Sequence, residues 1–101
     1  INLPVFFGNR NWHPMLADTV KDMQKKGVKN ALAFVSSPYS SYSSCRQYLD
    51  DIAAARAALG ESAPQIDKIR PFFNHPLFIA ANAENLKNSL ASFPSEIRAE
   101  L

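Results

Sequence analysis

The spacing of apolar residues changes period several times along the chain and marks out its elements. Leu3-Pro4-Val5-Phe6-Phe7 is a short apolar run closed by Gly8, the pattern of a buried strand. Pro14 suits the first turn of a helix. Trp12, Leu16, Val20 and Met23 then recur at helical spacing until Gly27 supplies a stop. Ala31–Val35 predicts a second strand. From about Ser44 to Leu59, the residues Tyr48, Ile52, Ala55 and Leu59 line one face of a second helix, which Gly60 ends. Gln65–Ile69 is a weaker strand candidate. Beyond the loop Arg70–Pro76, helical spacing returns through Ile79, Ala83, Leu86, Leu90 and Phe93. Ser95 is a fitting N-cap for a short last helical turn.

Strands alternating with helices imply an α/β fold: a parallel sheet with helices on both faces. Right-handed crossovers put every strand's C-terminal end at one edge, where such folds bind ligands. Gly8–Pro14 and Ser36–Cys45 both leave predicted strands at that edge, so the two loops are expected to be neighbours. Arg70–Pro76 is expected there too.

The 101 residues are enough for one domain or for half of a larger one. The chain opens at Ile1 almost directly on a strand pattern and stops at Leu101 just after a helical one. It therefore reads as an excerpt, a partial domain. A composition of 47% hydrophobic and 20% charged residues fits a globular protein rather than a disordered one. A net charge of +2, spread along the chain, argues against a nucleic-acid surface. No apolar run is long enough to cross a bilayer, and no signal peptide is visible. A single cysteine, Cys45, cannot close an internal disulfide, which fits a reducing cytoplasm.

Two segments carry candidate chemistry. Gly8-Asn9-Arg10-Asn11-Trp12-His13-Pro14 gathers a cation, two amides and an imidazole just past a strand. Arg10 can fork two donors onto a carboxylate or phosphate. The structural alternative is a loop arginine paired with a nearby Asp, with Trp12 and His13 packing at the helix entry. The stretch Ser36–Ser44 holds eight hydroxyls in nine residues, including Tyr39, Ser40, Ser41, Tyr42 and Ser43. Ahead of a helix N-terminus, such donors suit an anion; the alternative is a flexible loop of caps and turns. Arg46 and Tyr48 follow in the first helical turns, and Tyr48 also fits the apolar face. Cys45 reads as a small buried hydrophobe, a thiol activated by the helix end, or a metal ligand. Asp50 and Asp51 read as a solvated helix face.

In order and spacing, Gly8–Pro14, Ala31–Val35 and Tyr39–Tyr48 resemble the ferrochelatases, above all the coproporphyrin-using branch. Phe73–Ile79 sits where that family has a similar stretch. The resemblance implies a Rossmann-type chelatase fold of two similar halves with the porphyrin between them. Residues 1–101 would belong to the N-terminal half and would need the remainder of the chain as partner. The implied activity is insertion of ferrous iron, the metal substrate, into coproporphyrin III or protoporphyrin IX during heme biosynthesis. A non-catalytic anion- or tetrapyrrole-binding module is the alternative.

The resemblance also implies that Arg10 lines the cleft, that Tyr48 contacts a propionate and that Tyr39–Ser43 borders the site. Asn11 departs from relatives with an aromatic residue or His there. The family's metal-inserting His lies in a Ser-Ala-His type of motif that this chain lacks, and neither His13 nor His75 matches it. Some members hold a [2Fe–2S] cluster with one Cys in this region and three near the C-terminus. Cys45 is similar in placement to that first ligand.

Overall fold

The computed structural model describes residues 2–100, with the side chains of Ser43 and Ser44 outside the description. The chain divides into two units, Ile1–Pro71 and Phe72–Leu101.

In the first unit, helix α1 spans Leu16–Lys25 and strand β1 Asn30–Ala33. A π-helical turn over Tyr42–Arg46 runs straight into helix α2, Gln47–Ala57. A 3-10 turn over Gly60–Ser62 leads to strand β2, Gln65–Lys68. Both helices stop where the sequence provides a residue that tolerates positive φ: Gly27 at 74° and Gly60 at 76°. The strands pair in parallel, Asn30 opposite Gln65 and Ala33 opposite Lys68. Two flanking bonds lengthen the ladder, Gln65 N–H to Lys29 O at 2.8 Å and Ile69 N–H to Ala33 O at 3.1 Å. The α/β class with a parallel sheet is therefore what the chain adopts. Its core is small, with Val20 of α1 and Ile52 and Ala55 of α2 buried where the two helices pack together.

Three expectations change in this unit. Leu3–Phe7 forms no ladder; Leu3, Val5 and Phe7 are largely exposed. Its last carbonyl is taken by a helix instead, because Thr19 Oγ1 of α1 donates to Phe7 O at 2.8 Å. Helix α1 starts at Leu16, not at Pro14. Trp12 consequently lies in the preceding loop, 75% exposed, rather than on the helix's apolar face. The Thr19 hydroxyl also lies 3.2 Å from Met15 O, so one hydrogen serves two acceptors. Thr19→Val keeps the shape and strips Phe7 O of this donor. It should cost about 1 kcal/mol, read by chemical denaturation of the full-length protein.

The second unit holds helix α3, Pro76–Ser92, and a short helix α4, Ser95–Arg98. Pro76 occupies the first turn, where its missing N–H is no loss, and His75 caps the helix by accepting from Leu77 N–H on Nδ1 at 3.2 Å. Phe72 and Phe78 meet edge-on with centroids 5.5 Å apart. The predicted stripe is on one face, yet no described side chain of α3 is buried, and Ile79 and Leu86 stay more than half exposed.

Candidate functional site

The Gly8–Pro14 loop is closed by its own backbone. Asn9 N–H donates to Pro14 O at 2.7 Å, Leu16 N–H donates to Asn9 O at 2.8 Å, and Asn9 Nδ2 donates to His13 O at 3.1 Å. Gly8 lets this loop lie close to α1, since a Cβ there would sit 2.8 Å from Thr19 Oγ1 and 3.2 Å from Leu16 Cα. The loop is thus a fixed platform.

Arg10 stands on that platform and reaches α2. Its Nε lies 3.3 Å from Asp51 Oδ2, and both side chains are about two-thirds covered, at 31% and 28% exposure. Asp51 Oδ1 accepts from Gln47 Nε2 at 3.1 Å, one helical turn back. Asp51 Oδ2 is screened from solvent and makes no hydrogen bond of good geometry, so the Arg10 charge is what compensates it. The pairing foreseen as the structural alternative for Arg10 therefore exists, and it also sets the loop against the helix into which the hydroxyl-rich stretch leads. Asp51 lies about 6 Å along the helix axis from Gln47, the first residue of α2.

Beside the pair, a cavity of about 290 Å³ opens between α1 and α2, lined on its apolar side by Met15, Leu16, Ala54, Ala55 and Ala58. Asp50 behaves as expected, on the surface with Arg46 Nε at 3.3 Å. Asp51 departs from that reading in part: it is half-buried, with Oδ2 screened from solvent. The sequence signal was present: Asp51 adjoins Ile52 and sits three residues after Tyr48, and a charge at the border of a buried stripe calls for a partner.

The other candidates divide by exposure. Tyr39, Ser40, Ser41 and Tyr42 are exposed, at 60% for Tyr39 and 70% for Tyr42. Ser41 O accepts from Cys45 N–H at 2.7 Å, which anchors the start of the π turn. The Ser43 side chain lies outside the described residues. Tyr48 is half-buried on the same side of α2 as the buried Ile52 and Ala55. Asn11 is exposed. His13 is exposed and meets Trp12 edge-on at 6.2 Å, while His75 is a helix cap.

Cys45 is a half-buried free thiol. A [2Fe–2S] cluster takes four protein ligands. The chain has one cysteine, and among the described residues no group of three or more metal-binding side chains occurs. These residues do not by themselves fit such a cluster, and no step is assigned to one.

A parallel sheet, two packed helices and an arginine platform docked on the second helix define the chain as part of an α/β domain. The sequence profile described as Ferrochelatase matches residues 1–101, and the chain belongs to the ferrochelatase family. It is 51% identical to the coproporphyrin III ferrochelatase of Nocardia farcinica over 98 residues, 97% of this chain and 28% of that protein. With the protein of the same name from Mycobacteroides abscessus it shares 49% identity over 95% of its own length and 28% of the relative's. With that of Mycobacterium avium the figures are 50%, 95% and 29%. The chain thus spans under a third of these relatives. Among the described residues no helix is long and apolar enough to cross a membrane.

Proposed function

We propose that the full-length protein, working in the cytoplasm, inserts ferrous iron into a porphyrin, with coproporphyrin III as the substrate its relatives' names point to. This chain contributes part of the surface that grips the macrocycle's carboxylates. The observation that carries the reading is the arginine platform, because Arg10 is held on a rigid loop against α2, whose start is fed by the hydroxyl-rich stretch.

Metal insertion replaces two pyrrole protons by Fe²⁺, so it depends on a fixed, nonplanar ring and on a base that takes those protons. The carboxylates around the ring are its natural handles. A guanidinium supplies charge and directional donors to one of them, and Tyr39, Ser40, Ser41, Tyr42, Ser43 and Tyr48 supply neutral hydroxyl donors nearby. Asn11 adds an amide on the loop. Neither His13 nor His75 is offered as the proton acceptor; that role falls to the rest of the enzyme.

Two measurements on the full-length protein test this reading: fluorescence titration with coproporphyrin III, and anaerobic Fe²⁺ insertion followed by absorbance. Binding with turnover is expected. Binding without turnover would replace the enzyme by a tetrapyrrole-binding module, and absence of binding would remove both.

A further inference from the structure

We infer that Asp51, steadied by Gln47, is a positioning residue for Arg10: the carboxylate holds the guanidinium on its Nε edge and so fixes the direction in which the loop presents its cation to a porphyrin carboxylate. The inference rests on the proposed role of Arg10 and extends it to two residues of α2 that touch no substrate.

Three features carry it. First, Arg10 Nε lies 3.3 Å from Asp51 Oδ2, so the carboxylate sits beside a defined atom of a planar group. Second, Asp51 is not free to follow a moving partner. Gln47 Nε2 fixes the other carboxylate oxygen at 3.1 Å, and both residues sit on an α-helix whose next turn carries the buried Ile52 and Ala55. Third, Asp51 Oδ2 is screened from solvent without a hydrogen bond, so the Arg10 charge beside it offsets the cost of its burial. The loop on the other side is equally fixed by the bonds between Asn9 and Pro14 and between Asn9 and Leu16. A long flexible arginine is thereby held at both ends, which lowers the ordering cost of binding an anion.

The test uses the full-length enzyme with coproporphyrin III and Fe²⁺, measuring KM for the porphyrin and kcat for Arg10→Ala, Asp51→Asn and the double variant. Asp51→Asn keeps the size and removes the charge. It should raise KM about fivefold and leave kcat within about twofold, because a ligand-orienting contact is lost and the proton chemistry is untouched. Arg10→Ala should raise KM at least as much. The double variant should resemble Arg10→Ala alone, since Asp51 acts only through that guanidinium.

A normal KM for Asp51→Asn beside a raised one for Arg10→Ala would overturn the positioning role and leave the binding reading standing. Additive effects in the double variant would do the same. An unchanged KM for Arg10→Ala would sink the binding reading, and this inference with it. Should Asp51→Asn fail to fold, Gln47→Ala takes its place. A raised KM at constant kcat supports the inference, and an unchanged KM overturns it.

Discussion

Replacing Gly8 by Val should cost roughly 3 kcal/mol of folding free energy and weaken porphyrin binding together. A Cβ at this position meets Thr19 Oγ1 at 2.8 Å, Thr19 Cβ at 3.1 Å and the Leu16 backbone at 3.2 Å. The Thr19 hydroxyl can turn away only by abandoning its bond to Phe7 O. Overpacking alone costs about 1–3 kcal/mol and the lost hydrogen bond about 1. The segment must then lift from α1, and it takes with it the loop that carries Arg10. Denaturant unfolding of the full-length protein reads the first effect, and a coproporphyrin III titration the second. Gly8→Val with wild-type stability would mean that the segment and α1 are not in contact.

Reversing the charge at position 10 should have the larger effect on binding. Arg10→Glu sets two partly covered carboxylates side by side and, on the proposed role of Arg10, turns an attractive handle for the substrate into a repulsive one. A charge-assisted hydrogen bond is worth about 1.5–3 kcal/mol, or roughly 10- to 100-fold in affinity, and the added repulsion carries the loss beyond about 100-fold. The swapped pair, Arg10→Glu with Asp51→Arg, should recover stability through a restored ion pair without recovering porphyrin affinity. Recovery of both would show that position 10 serves the fold alone.

Much of this architecture was legible from residue spacing. Helix α2 follows Tyr48, Ile52 and Ala55 closely, and Gly27 and Gly60 end their helices by the mechanism their residue type implies. Strand β1 was visible because its apolar residues stand between polar flanks. Leu3–Phe7 misled because an apolar run states that a segment wants cover but not which surface supplies it. Here a threonine one helix away took the carbonyl that a neighbouring strand would have used. Helix α3 shows the same limit, since its stripe predicts a helix and says nothing of what packs on it.

The site was legible in part. Arg10 stood out as a cation among amides beyond a strand, and its pairing with an Asp was foreseeable in kind. Which Asp it would be was not, because the partners lie far apart in sequence and only the docking of α1 on α2 brings them together. Gln47 gave no signal at all, being one polar residue among several at a helix start.

That separation also sets an order of assembly. Arg10 and Asp51 are roughly forty residues apart, and closing so long a loop is repaid only when the helices meet. A growing chain that has emerged no further than the hydroxyl-rich stretch therefore lacks the contact between Arg10 and Asp51, which comes into being with the docking of α2.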